Sequence, residues 1–141
     1  MKIFVSGSIN IKQLPQLAIE KLDSIIEKNF AVLVGDANGV DSLIQKYMKE
    51  KSYRNVFVYY AGDKIRNNLD NWQTVNVSSS LKGRALYTQK DIKMAEDADY
   101  GMMIWDGNSR GTKANIEKMT SFGKHFYVIQ NDTLYTDSML K

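Results

Sequence analysis

The sequence contains no cysteine, a single histidine and a single proline among its 141 residues. Without cysteine the chain has no disulfide, no thiol nucleophile and no thiolate ligand for zinc or an iron–sulfur cluster. One histidine, His125, excludes a polyhistidine metal site within one chain and permits a Ser-His-Asp triad only if that residue is suitably placed. We therefore expect neither a metal nor a cofactor.

Long hydrophobic runs are also missing. No apolar stretch approaches the roughly 18 residues needed to cross a bilayer, and the beginning, MKIFVSGS, is too short for a secretory signal. We expect a cytoplasmic protein with no membrane partner. The net charge of +3 admits an anionic ligand. It is far from the basic stripe of a dedicated DNA-binding protein, so nucleic acid is not the expected partner.

What is present suits one globular domain, because 43% hydrophobic and 25% charged residues supply one core. Short apolar segments alternate with helical patterns. The predicted strands are Lys2–Ser6, Phe30–Val34, Asn55–Tyr60, Tyr100–Trp105 and His125–Gln130. This alternation predicts an α/β fold, a single-domain Rossmann-like parallel sheet of about five strands with helices on both faces. We assign residues 1–130 to the domain and residues 131–141 to a loose tail or an oligomer contact.

One segment, residues 61–87, has no convincing periodicity. A stretch of this length is rare in a small domain unless it is a functional lid or contains a further element. Val75 and Val77 indicate a short strand within it, and Thr88 followed by Asp91 indicates the start of the next helix. We expect Arg66 or Arg84, both from this segment, to close over a ligand.

Small and acidic residues follow the first two strands, at the carboxyl edge where α/β sheets bind ligands. The first strand ends in Ser6, Gly7 and Ser8. These small residues are explained equally well by ligand binding and by a tight turn between the strand and the next helix. The second strand runs into a glycine-bracketed loop that opens a helix, with Gly35, Asp36, Gly39 and Asp41 as candidate binding residues. Such a loop presents unpaired N–H groups and the positive end of a helix dipole. The alternative is that Asp36 and Asp41 only cap the helix.

A second glycine loop follows the fourth predicted strand and is the stronger candidate for a phosphate site. Its candidate residues are Asp106, Gly107, Ser109, Arg110, Gly111 and Thr112. Guanidinium groups are well suited to binding phosphate. Arg66, Arg84 and Arg110 all fall in predicted loops at this edge. The alternative is that they are ordinary surface arginines with no ligand. Aromatic residues expected near the same edge could stack on a base or belong to the core: Tyr59, Tyr60, Trp72, Tyr87 and Trp105. His125, Asp97 and Asp99 are expected at the opposite edge.

The segments GSIN, GDANGVDSLIQKY and WDGNSRGTKANI resemble the SLOG superfamily, over residues 1–130. The chain is most similar to small YspA/YpsA-like bacterial proteins, and more distantly to LOG-type phosphoribohydrolases and DprA. The resemblance implies a Rossmann-like nucleotide-binding fold whose second-strand motif is matched by Gly35, Asp36, Gly39 and Asp41. The phosphate loop is matched by Gly107, Ser109, Arg110, Gly111 and Thr112. LOG-type enzymes carry PGGxGTxxE, but Asn115 stands where that glutamate would be and cannot act as a general base.

Two functions follow as expectations. The first is binding of a nucleotide or a nucleotide-derived small molecule, in a sensing or sequestering role. The alternative is a nucleotide N-glycosidase, phosphoribohydrolase or ribosyl-transfer enzyme, in which Asp36, Asp41 or Asp106 supplies the catalytic carboxylate. Because superfamily members commonly pair, the resemblance also implies a homodimer or a higher homo-oligomer.

Overall fold

The computed structural model describes residues 1–78 and 80–137. The elements, in chain order, are β1 (Lys2–Gly7), α1 (Gln16–Glu27), β2 (Ala31–Gly35), α2 (Val40–Glu50), β3 (Val56–Ala61), β4 (Gln73–Val77), α3 (Arg84–Asp97), β5 (Tyr100–Ile104), α4 (Arg110–Ser121), β6 (His125–Gln130) and β7 (Thr133–Thr136). The predicted single-domain, Rossmann-like α/β fold is confirmed. The sheet has seven strands in its described part rather than about five.

The strand order is β4-β3-β2-β1-β5-β6-β7, and every neighbouring pair is parallel except β6 with β7. The chain winds outward from β1 to β4, and then α3 returns it to the other side of β1. The strand order therefore reverses between β1 and β5, where Gly7 lies opposite Ile104. In open α/β sheets the crevice at this reversal is the usual ligand site.

Helices cover both faces of the sheet. On one face α1 and α2 share a core cluster with residues of the sheet, in which Leu22, Ile44 and Val34 are fully buried. On the other face α3 and α4 enclose a second cluster that includes Met94 and Met119. Burial on both sides explains why the strands are continuously apolar. Each fully buried Leu or Met contributes about 1.5–3 kcal/mol, so the sheet is a rigid base for the loops at its edges.

The structure corrects two boundaries and adds one strand. Helix α3 begins at Arg84, directly after Gly83 with a φ of 61°, and not at Thr88. Residues 133–136, which we assigned to the tail, form β7 on the edge of the sheet. The short strand expected around Val75 and Val77 is β4. Residues 138–141 of the expected tail lie outside the described residues. In the described ranges no helix is long and apolar enough to cross a membrane.

Candidate functional site

Ser8 joins the loops at the carboxyl edge of the sheet. Its backbone N–H donates to the carbonyl of Ile104 (3.0 Å), and its carbonyl accepts from the N–H of Val40 at 3.4 Å. Its hydroxyl accepts from the Asp106 N–H (3.1 Å) and lies 3.4 Å from the Thr112 hydroxyl. The loops that follow β1, β2 and β5 are therefore contiguous at the reversal of strand order.

Two of the predicted glycines allow this close packing. A Cβ at Gly7 would lie 2.5 Å from the Ile104 carbonyl oxygen and 2.6 Å from the Val40 side chain. Gly39 has a φ of 78°, and a Cβ there would lie 2.5 Å from the backbone of Ile9. The close approach of neighbouring backbone and side chains therefore requires glycine at both positions.

The loop after β2 is closed by an internal ion pair. The Asp36 carboxylate is buried and accepts from the Arg66 backbone N–H (2.8 Å) and from Arg66 Nη2 (2.6 Å). Burial lowers the pKa of Arg66, but the bond to Asp36 and its charge raise that pKa overall. The Tyr87 ring covers the guanidinium at 4.4 Å. Arg66 therefore anchors the segment after β3 to Asp36, whereas we expected it to close over a ligand.

Asp41 and Lys90 form a second buried charged group beneath this loop. The Asp41 carboxylate accepts from the Ala37 N–H at 3.2 Å. Lys90 Nζ lies 3.3 Å from the Asp91 carboxylate. A Cβ added at Gly35 would lie 2.5 Å from an Asp41 carboxylate oxygen and 2.9 Å from Lys90 Nζ, so both charged groups lie directly beside Gly35. Burial raises the pKa of Asp41 to about 6, although Lys90 opposes this. Burial lowers the pKa of Lys90, but Asp91 and Asp41 raise it overall.

Lys90 was not among the residues predicted from the sequence. Lys90 lies four positions before the buried Met94 on α3, and residues four apart lie on the same side of a helix. Lys90 therefore occupies a position on the side of α3 that faces the core. A lysine at a buried helical position is rare unless it is paired. That break in the apolar pattern, together with acidic Asp91 beside it, is the signal that could have identified it.

The loop after β5 is preformed by its own side chains. Asp106 Oδ1 accepts from the N–H groups of Asn108 and Ser109, both at 2.8 Å. These two bonds hold the pKa of Asp106 below its usual range. Trp105 Nε1 donates to the Ser109 carbonyl at 2.9 Å. Gly107 adopts a φ of 85°, which favours glycine. This loop is therefore fixed in position before any ligand arrives.

The N-terminus of α4, directly after this loop, is open. The N-cap Ser109 makes no side-chain capping bond. The backbone N–H groups of Arg110, Gly111 and Thr112 have no partner within residues 1–78 and 80–137. The space at Gly111 is empty to 4 Å, and the exposed Arg110 guanidinium makes no ion pair in the same ranges. Aligned donors, a helix dipole and a guanidinium suit an anion.

Asn115 lies one turn further along α4 and is buried. Its Nδ2 donates to the Ser6 hydroxyl at 2.8 Å. Its Oδ1 has no hydrogen-bond partner and is the only such buried side-chain atom in the part of the chain that the structure describes. Because unpaired buried acceptors are costly, this oxygen marks a place for a donor between β1 and α4.

The other predicted residues do not lie together at one site. Arg84 is the exposed first residue of α3, and its closure over a ligand stays a prediction. Tyr59 is in the core and donates to Asp97 at 2.7 Å. Trp72 precedes β4, so it lies at the amino edge and not at the ligand edge; its Nε1 donates to the Tyr53 carbonyl at 2.8 Å. Its indole N–H is thus used by the core.

His125 lies at the amino edge, as expected, and its Nδ1 is 3.0 Å from Asp137. Asp99 also lies there, where it accepts from the N–H of Lys2. Over the described ranges, no group of three or more His, Asp or Glu side chains could hold a metal ion.

Together, the fold and the carboxyl edge define a Rossmann-like α/β protein with an open, donor-rich helix N-terminus at the reversal of its strand order. No family model, curated protein or solved structure matches the chain.

Proposed function

We propose that the protein binds a nucleotide or a nucleotide-derived small molecule at the carboxyl edge of the sheet, in a sensing or sequestering role. The observation that carries this proposal is the set of unpartnered N–H groups of Arg110, Gly111 and Thr112 beside an unpaired guanidinium, as found among the described residues. A phosphate fits these donors because it accepts several hydrogen bonds at once and its charge complements the helix dipole.

The two glycine loops differ in a way that favours α4. At α2 the Ala37 N–H is already taken by the Asp41 carboxylate, and Asp36 is neutralised by Arg66. At α4 the side chain of Asp106 takes only the two amides that precede the helix. We therefore place the phosphate at α4 and not at α2.

Asn115 supports a sugar beside the phosphate. Its unpaired Oδ1 needs a donor, and ribose hydroxyl groups are donors. Its Nδ2 is fixed by Ser6, so the amide is already oriented. The resemblance to the SLOG superfamily implies the same class of ligand. It also leads us to propose a cytoplasmic protein that forms a homodimer or a higher homo-oligomer.

The test is a thermal-shift and calorimetric screen of nucleoside monophosphates, ADP-ribose, NAD and inorganic phosphate, with mass spectrometry of small molecules that copurify. Arg110→Ala should weaken binding by about 1.5–3 kcal/mol and leave the melting temperature without ligand unchanged, because Arg110 is exposed. Lys49→Ala removes one charge from the far end of α2 and should bind like the wild type. If none of these compounds binds, the proposal is wrong.

One observation favours the enzyme alternative as a second candidate. The pKa of Asp41, raised to about 6 by burial, lies in the range of a general acid or base that works near neutral pH. The ionised Asp106, beside Ser109 and Arg110, would stabilise a developing ribosyl cation. Release of free base from nucleotides, followed by chromatography, tests this candidate. Turnover that persists in both Asp41→Asn and Asp106→Asn would exclude these carboxylates.

A further inference from the structure

A cavity of about 340 Å³ lies at the amino edge of the sheet, opposite the loops described above. Its lining includes Ile3, Lys21, Ser24, Lys28, Tyr100 and Tyr127. Ile3 and Tyr100 stand near the starts of the parallel strands β1 and β5, which places the cavity at the amino edge. The inference drawn from it is thus independent of the proposed function.

Aromatic rings form one wall of the cavity. The centroids of Tyr100 and Tyr127 are 5.7 Å apart, and the rings are tilted by 48°. The Tyr127 hydroxyl is turned inward and donates to the Met102 sulfur at 3.2 Å. The Tyr127 hydroxyl is therefore used by the core, and the spacing of the two rings is within the range over which aromatic rings attract one another.

Residues of helix α1 and its C-cap form another part of the cavity lining and carry its positive charges. Lys21, Ser24 and Lys28 recur at spacings that place them on one side of the helix. Lys21 Nζ lies 5.6 Å from the centroid of the Tyr127 ring, and Lys28 Nζ lies 5.9 Å from that of Phe30. Both ammonium groups thus lie beside aromatic rings that also line the cavity.

Neither lysine is neutralised. Within the described part of the chain no carboxylate lies within ion-pair distance of Lys21 or Lys28, and no acidic residue lines the cavity. The nearby Asp137 carboxylate is bonded to His125 at 3.0 Å. Among the described residues, the cavity lining therefore combines aromatic side chains with two lysine ammonium groups that make no ion pair.

We propose that this cavity binds a small aromatic carboxylate, with its ring against Tyr100 and Tyr127 and its carboxylate at Lys21 and Lys28. The volume lies within the range of small-molecule sites. A neutral ligand would leave the two cations without counter-charge. A sugar phosphate would find few polar partners, since Ser24 is the main neutral hydrogen-bonding side chain on the helical wall.

The test uses 2-naphthoate as the probe and 2-naphthamide as its neutral counterpart, with amide chemical shifts recorded during each titration. We expect 2-naphthoate to shift amides of α1 and of the starts of β5 and β6, and to bind more tightly than the amide. The double variant Lys21→Gln, Lys28→Gln should lower 2-naphthoate affinity about tenfold. The same variant should leave 2-naphthamide binding unchanged.

Two controls separate this site from the carboxyl edge. Lys49→Gln removes a charge outside the cavity and should bind 2-naphthoate like the wild type. Arg110→Ala, which tests the nucleotide site, should also leave 2-naphthoate binding intact. Absence of binding, shifts confined to α4, or equal 2-naphthoate affinity in the double lysine variant would each overturn the proposal.

Discussion

Replacing Asp41 by asparagine should make the protein more stable at neutral pH. The folded-state pKa of Asp41 is raised from 3.8 to about 6, mainly by burial. Because each pKa unit corresponds to about 1.4 kcal/mol, ionised Asp41 costs the folded state about 3 kcal/mol relative to its protonated form. Asparagine does not titrate, and its oxygen can still accept the Ala37 N–H.

The sign of the pH dependence follows from the raised pKa. The stabilising contribution of protonated Asp41 is fully present below pH 3.8 and is lost as the pH rises through about 6. The advantage of Asp41→Asn in free energy of unfolding should therefore grow by about 2.4 kcal/mol between pH 4 and pH 7. Taking the difference between variant and wild type cancels the contributions of titrating groups that do not interact with Asp41, whereas Lys90, Asp91 and Asp36 are coupled to it.

Urea unfolding followed by circular dichroism, for both proteins at several pH values, measures this difference. Asp63→Asn is the matched control, because it makes the same substitution at an exposed side chain. A constant difference at every pH would refute the reasoning. A loss of stability in Asp41→Asn at pH 7 would mean that attraction to Lys90 outweighs the cost of burying the carboxylate.

Two further comparisons test contacts at the carboxyl edge by urea unfolding. Arg66→Ala should cost about 2–3 kcal/mol, because it leaves the buried Asp36 without its cation, whereas removing the exposed Arg84 side chain should change stability by less than about 0.5 kcal/mol. Gly39→Ala should cost at least about 2 kcal/mol, because its φ is positive and its Cβ would meet neighbouring backbone. Gly111→Ala should gain about 0.4–1 kcal/mol, because the space around it is empty.

Each comparison has a result that contradicts it. Wild-type stability in Arg66→Ala would show that the backbone N–H of residue 66 is sufficient for Asp36, and the ion pair would then have no structural role. Equal stability of the two glycine variants would show that the backbone at Gly39 relaxes without cost.

The sequence predicted the fold well because both faces of the sheet are covered, which makes the strands continuously apolar and easy to recognise. It did not predict β7, which is short and partly polar. A signal for this strand was nevertheless present. Asn131 and Asp132 connect the antiparallel partners Gln130 and Thr133, and Asn131 adopts a φ of 56°. Such a two-residue connection rich in Asn and Asp is typical of a hairpin.

The neighbouring position of two loops at the carboxyl edge could also be predicted, because it follows from the order of the strands. The reversal of strand order places the loops after β1 and β5 side by side, so the adjacency of the loops that contain Ser8 and Asp106 could be expected. The partner of Asp36 could not be predicted. Arg66 is distant from it in sequence, and their contact depends on the path of an irregular segment. The positive charge of Arg66 suits a bound anionic ligand and a carboxylate of the protein equally well, so its residue type did not indicate which of the two it contacts.

Strand β4 has a consequence for self-association. It pairs with β3 on one side only, so the backbone groups on its other side are available to a foreign strand. Its exposed positions carry Gln73, Thr74 and Asn76. None of the five side chains of β4 is charged and none is proline, and these are the residues that commonly block the addition of a strand at a sheet edge. The backbone of β4 therefore offers a template on which an extended segment of a second molecule can pair.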